Sequence, residues 1–192
     1  MARPKEFDRD TAVDRAMSIF WLKGYAATST DDLLQAMKIG RQSMYDTFGD
    51  KRRLYLEALQ QYNADSVADV IANLNMASSP LKGLEAALIA FASRPAQQFR
   101  LGCMGIASIC EFGRADADVA LLNDSAGRTL LSAFERRLAE AKAAGEVASN
   151  LDVHIAAEFL QATLAGIKVA ARGGTAAETL KDIARLALRS LR

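Results

Sequence analysis

The chain is short of the residues that would mark a catalyst, a metal site or a secreted scaffold. Its 192 residues include two cysteines, one histidine, one tryptophan and three prolines. Two cysteines, with no apolar leader ahead of the acidic residues of MARPKEFDRD, predict a cytoplasmic protein whose thiols stay reduced. With His154 as the one histidine there is no metal-ligand spacing, and a hydrolase triad built on it lacks any sign of an orienting acid and a nucleophile. No glycine-rich phosphate loop follows a strand, so no enzyme activity, cofactor or metal is expected. Charge of one sign is missing as well: 24 Lys and Arg face 23 Asp and Glu, and a net +1 names no partner. The longest apolar-rich run, LGCMGIASIC (Leu101 to Cys110), is half of the ~20 residues a membrane helix needs, so no membrane partner is expected. Sustained alternation of β-branched residues is absent, and so is any internal repeat.

What is there suits a soluble globular fold. The chain is 51% hydrophobic and 24% charged, and a chain of this length buries roughly 70% of its unfolded surface, enough for a real core. Few prolines and glycines leave long stretches of Ala, Leu, Glu, Lys and Arg, which favour helices. Charge is unevenly placed: residues 1–53 carry 10 basic and 8 acidic side chains, residues 54–192 carry 14 and 15. Arg3, Lys5, Lys38, Arg41, Lys51, Arg52 and Arg53 fall where helices would begin or end, which predicts a local basic surface.

The helix signals can be read in order. A first helix follows Asp8 and runs to Lys23, with Ala12, Ala16, Ile19 and Phe20 at helical spacing and Gly24 as its stop. In ATSTDDLL, Ser29 is placed to cap and Asp32 to close a shortened capping box, for a helix that ends near Met37. A third short helix covers about Arg41 to Thr47, four residues on, which is helix-turn-helix spacing. Asp50 then caps a long fourth helix that lasts until ASSP (residues 77–80), where Ser79 and Pro80 start another. Further helices are predicted at about 80–93, 96–100, 103–113, 118–144, 152–172 and 175–191, with Asp152 and Thr175 capping the last two.

The stretch KIGRQSMYDTFGDK (Lys38 to Lys51) divides like a DNA-reading helix. Met44 and Phe48, four apart, can pack inward; Arg41, Gln42, Ser43, Tyr45 and Thr47 supply the side-chain types used on base edges and phosphates in a groove about 12 Å wide. Read position by position, AMSIFWLKGYAATSTDDLLQAM and SMYDTFGDKRRLYLEAL resemble the TetR family of transcriptional regulators, whose signature is Ser-aliphatic-Tyr-x-x-Phe-x-x-Lys-x-x-Leu. The likeness is close over residues 7–59; beyond them the chain agrees as a helical domain of suitable length. It implies an all-α fold with a three-helix DNA-binding domain at 1–50 and a larger effector-binding and dimerisation domain at 51–192. It also implies that Arg41, Gln42 and Ser43 lie at the groove, that Tyr45 and Thr47 touch backbone or bases, and that Lys51 meets a phosphate. Thr28, Ser29 and Thr30 would anchor the second helix on the DNA backbone, and Phe20, Tyr25, Leu33 and Phe48 would form the small core. Lys38 stands where the family usually has Gly, which requires a left-handed Lys or another path through the turn, and Gln42 replaces a frequent Gly.

Outside that motif the readings stay open. The Arg-Pro-Lys at residues 3–5 is either a tail or an arm into a minor groove. Ile155, Phe159, Leu160, Leu164, Ile167, Leu180, Ile183, Leu186 and Leu188 suit a dimer interface of the last two helices or an internal core. Phe91, Phe99, Met104, Ile109, Phe112, Phe134 and Phe159, with Cys103, are candidate effector contacts or packing residues. Cys103, beside Arg100 at a helix start, is a candidate reactive thiol or a small filler. The expected protein is a homodimeric regulator, a repressor of a pseudo-palindromic double-stranded operator released by a small-molecule effector. A helical ligand-binding or protein-interaction module that has lost DNA recognition is the alternative.

Overall fold

The computed structural model describes residues 7–99 and 101–192, the side chains of Ala96 and Phe99 apart. Arg3, Lys5, Arg100 and the Phe99 side chain, singled out above, lie outside the described residues. Among the described residues there are ten helices and no strand: α1 Arg9–Lys23, α2 Thr30–Met37, α3 Arg41–Phe48, α4 Lys51–Met76, α5 Pro80–Ala92, α6 Ala96–Phe99, α7 Met104–Phe112, α8 Ala117–Ala143, α9 Val153–Arg172 and α10 Ala177–Arg189.

The caps explain most of the boundaries. The Asp8 carboxylate accepts from Thr11 N at 2.7 Å, and Gly24 ends α1 with φ +80° while its N–H reaches Phe20 O. Ser29 and Asp32 form a reciprocal capping box, Asp50 accepts from Arg53 N, Ser79 precedes Pro80 at the first position of α5, and Asp152 accepts from Ile155 N. Thr175 does not cap α10, contrary to expectation. Its N–H is spent on Ala170 O, Ala176 takes the cap position without a side-chain bond, and Leu180, Ala184, Ala187 and Leu188 hold the helix by burial.

Two buried apolar clusters divide the molecule. One gathers Ala12, Ala16 and Phe20 of α1, Leu33 and Met37 of α2, Met44 and Phe48 of α3, and Leu54, Tyr55, Leu59 and Tyr62 of α4, closed from behind by Met104 and Val119. The other gathers Val70 and Leu74 of α4 with the apolar faces of α5, α8, α9 and α10. With 26 residues α4 is about 39 Å long, so it reaches through both clusters, and they meet inside α4 rather than at its start. Helix α9 is long and apolar enough, by length and composition alone, to cross a membrane. In the fold it is a core helix, with Ala157, Leu160, Leu164, Ile167 and Ala171 buried.

Candidate nucleic-acid interface

The α2–α3 connection is Lys38-Ile39-Gly40. Lys38 takes the left-handed conformation (φ 58°, ψ 43°), so the family's Gly geometry is kept by a residue that must strain to adopt it. Ile39 N–H bonds Leu34 O at 3.3 Å, and Gly40 starts α3 with no side-chain cap. Arg15 of α1 braces the end of α2 through Met37 O at 3.3 Å.

Met44 and Phe48 of α3 are buried, so the helix can present only one edge. That edge carries Arg41, Gln42 and Tyr45, all exposed, with Ser43 and Thr47 half-buried beside them. Arg41 Nη2 pairs with Asp31 at 2.6 Å and Gln42 Nε2 with Asp46 at 2.8 Å. The Arg41 pair is exposed on both sides; such a pair contributes about 0–1 kcal/mol, so the guanidinium exchanges it readily for a phosphate or a guanine edge.

At the start of α2 the hydroxyl of Ser29 accepts from Asp32 N at 3.1 Å, and the Asp32 carboxylate accepts from Ser29 N at 2.9 Å. The hydrogen bond from Lys23 (2.7 Å), then those from Ser29, hold the Asp32 carboxyl well below the usual range, at about 2. Thr30 is half-buried in the first turn. Thr28 is different: it is 1% exposed and its hydroxyl donates to Gly24 O at 2.6 Å, so its side chain ties the α1–α2 turn. The family resemblance implied a contact with the DNA backbone; the Thr28 hydroxyl is instead spent on the turn's own carbonyl. Lys51 lies half-buried at the start of α4 with its ammonium 4.2 Å from the Tyr25 ring centroid, a cation–π contact that leaves it near the same edge.

A family model described as bacterial regulatory proteins, tetR family, matches residues 12–58, the segment that forms this arrangement. The HTH-type transcriptional repressor ComR of Escherichia coli strain K12 is 32% identical, over 97% of this chain and 90% of its own length. The HTH-type transcriptional regulator YezE of Bacillus subtilis strain 168 is 30% identical over 95% of each chain. The chain belongs to the TetR family. A solved structure of a cysteine mutant of the TetR family transcriptional regulator CifR, complexed with 26bp double-strand operator DNA, is 30% identical and superposes with a TM-score of 0.87 over 99% of this chain and 100% of that one. The present chain is a DNA-binding transcriptional regulator.

In this TetR-family regulator the candidate effector residues scatter. Phe134 is fully buried and Phe91 nearly so, both in the C-terminal cluster, and Met104 is buried in the N-terminal one. Apolar side chains at helical spacing have packed. Phe112 lies between Tyr25 and Tyr55 at centroid distances of 5.4 and 5.6 Å, and Phe159 is exposed on α9. Of the named residues whose side chains are described, only Cys103 lines the cleft of about 530 Å³ between the α1–α2 turn, α7 and α9. Both cysteines are free thiols: Cys103, half-buried, is the N-cap of α7, and Cys110 is exposed on the same helix.

The cleft brings in residues that the sequence did not single out, namely Trp21, Glu111, Lys168 and Arg172. Glu111 joins the two halves of the molecule: its carboxylate accepts from Tyr25 N at 3.0 Å and Ala26 N at 2.7 Å, across 86 and 85 residues of chain. The one available signal was Lys168, the lone charge in the run FLQATLAGIKVAA. His154 is an exposed helix-start residue whose Nδ1 meets Glu135 at 2.7 Å, and that hydrogen bond raises its pKa.

Proposed function

We propose that two copies of this chain bind a pseudo-palindromic operator and repress the adjoining gene in the cytoplasm, and that a small molecule releases them. The observation that carries the reading is the exposed Arg41–Gln42–Tyr45 edge held outward by the buried Met44 and Phe48. The names of the relatives, a transcriptional repressor in one case and an operator-bound regulator in another, support the sign and the target. In this reading residues 1–50 meet DNA, Ser29, Thr30, Ser43, Thr47 and Lys51 contacting backbone around the base-reading edge, and residues 51–192 dimerise and respond. The first turns of α4 serve both.

Dimerisation is supported by the apolar side chains that α9 and α10 leave in solvent. Ile155 is 62% exposed, Phe159 43%, Ile183 40% and Leu186 61%, whereas Leu160, Leu164, Ile167, Leu180 and Leu188 of the same helices fill the internal core. The same helices thus supply internal core with one set of side chains and leave another set exposed for a partner. A face of exposed leucine, isoleucine and phenylalanine suits a second copy, and two reading helices supply the buried DNA surface that one lacks.

The test is selection of random duplexes by the purified protein, with Arg41→Ala, Gln42→Ala and Tyr45→Ala beside the wild type. A recovered palindrome, weakened by about 1–3 kcal/mol when a base-reading side chain is removed, is the expected result. A folded dimer that enriches no sequence at low salt would reject it in favour of the module without DNA recognition.

A further inference from the structure

Two cations, Lys168 buried and Arg172 exposed, line the α1–α2/α7/α9 cleft without a carboxylate partner among the described residues. Lys168 of α9 is only 9% exposed, and its ammonium has Ser66 Oγ at 3.4 Å, Cys103 Sγ at 4.0 Å and the Phe91 ring centroid at 5.7 Å around it. No ion pair among the described residues includes it. Arg172, one turn on, is also in no ion pair among the described residues, and its stem lies so close to Gly102 that a Cβ there would come within 3.1 Å. Trp21 Nε1 is buried without an acceptor.

These facts point one way. A buried ammonium without a carboxylate is unfavourable, and so is a buried N–H without an acceptor. Lys168 and Arg172 are four apart on one helix, a spacing at which like charges repel. The negative end of the α9 dipole accounts for Arg172 in the last turn, but its effect fades before Lys168. Glu111, the one carboxylate that lines the cleft, is committed to the Tyr25 and Ala26 amides. A negatively charged acceptor entering the cleft would pair with the buried Lys168 and with the exposed Arg172 beside it. Ile106 and Val169 supply apolar wall beside them, and the volume suits a small organic molecule.

We propose that this cleft binds a small organic carboxylate, with its charged end on Lys168 and Arg172 and its apolar body along Trp21, Ile106 and Val169. The proposal deepens the effector reading above and rests on it for its regulatory meaning. The opposite wall of the cleft is Lys23, Gly24, Ala26 and Ala27 of the α1–α2 turn, fastened to α7 by Glu111. An occupant wedged between α9 and that turn bears directly on where the DNA-reading helices sit. It lowers operator affinity to the extent that it binds the displaced arrangement more tightly.

Cys103 gives a probe that needs no knowledge of the natural ligand. Iodoacetate and iodoacetamide react alike: the thiolate sulfur attacks the methylene carbon, the C–S bond forms as C–I breaks, iodide leaves, and the thiol proton goes to buffer. Both need the same thiolate, so the ratio of their rates reports only the preference for a carboxylate. In a Cys110→Ser background that ratio at Cys103 is expected to exceed the ratio for N-acetylcysteine by about tenfold or more, because a fixed cation concentrates the anion. Lys168→Arg should keep the preference, Lys168→Met should abolish it, and octanoate should protect Cys103 where octanol does not. A ratio equal to that of N-acetylcysteine, a ratio unchanged in a folded Lys168→Met protein, or a Cys103 inert to both reagents would overturn the site, whatever the DNA result. If the preference is found and saturating octanoate leaves affinity for the selected duplex unchanged, the regulatory role falls while DNA reading stands.

Discussion

The two ends of this molecule are both helical but are held by different means. At the DNA-reading end α2 and α3 have eight residues each, well short of the ~12–15 at which an isolated helix becomes even marginal. Such helices rely on a few particular residues: Ser29 with Asp32 caps α2, the buried Met44 and Phe48 hold the uncapped α3, and Phe20, Tyr25, Tyr55 and Phe112 pack ring against ring. At the other end α8 and α9, capped by Asp116 and Asp152, have 27 and 20 residues, α10 lacks a side-chain cap, and broad apolar faces carry the structure. Short helices need particular residues at particular positions. Long ones need only a stripe.

The largest effect that can break this contrast is a hole in the C-terminal cluster. Phe134→Ala should cost about 3–5 kcal/mol in urea unfolding, because a fully buried ring leaves a cavity that long packed helices cannot close. A loss under about 1 kcal/mol would mean a loosely filled core and a ring that lines an open pocket after all. Next comes a matched pair of caps. Ser29→Ala should cost about 1 kcal/mol and weaken DNA binding with it, while Thr175→Ala, which removes no cap, should stay within about 0.5 kcal/mol. Equal losses would erase the distinction between the two ends.

The same contrast explains what could be read in advance. The turn, the capping box and the inward pair Met44–Phe48 were legible because each position is dictated by local chemistry. Asp8, Ser29, Asp50, Ser79 and Asp152 announced helix starts for the same reason. Thr28 misled because a hydroxyl near a helix start serves a phosphate or a neighbouring carbonyl equally well, and only the path of the turn decides. Phe91, Met104 and Phe134 misled because periodicity identifies buried side chains without telling a packed core from a pocket. The cleft was illegible: Trp21, Glu111 and Lys168 are far apart in sequence, and their meeting depends on how α7 and α9 settle against the α1–α2 turn.

A smaller change tests the turn that the short helices share. Lys38 holds φ 58°, at a cost of about 1 kcal/mol for a side chain with a Cβ. Lys38→Gly removes that strain but gives the unfolded chain more freedom, so a net gain of about 0.5 kcal/mol is expected. A loss would show that the lysine side chain contributes more to the turn than its backbone strain removes.

The smallest effects are electrostatic, and they have opposite signs at the two ends. Asp32, held at about 2 against an ordinary 3.8, stabilises the α2 start above the ordinary value and loses that contribution as pH falls toward about 2. His154 is the reverse case. Its hydrogen bond to Glu135 raises its pKa above 6.5, so the α8–α9 pair contributes fully below 6.5 and is lost as pH rises through the folded value. Both groups reach solvent, which keeps the effects small. The stability difference between wild type and His154→Ala should therefore be present below pH 6.5 and shrink as pH rises above it, whereas Asp32→Asn should matter across both ranges. A His154 difference that persists at the higher pH would place its value in packing of the neutral ring, making the C-terminal end a matter of burial down to its surface pairs.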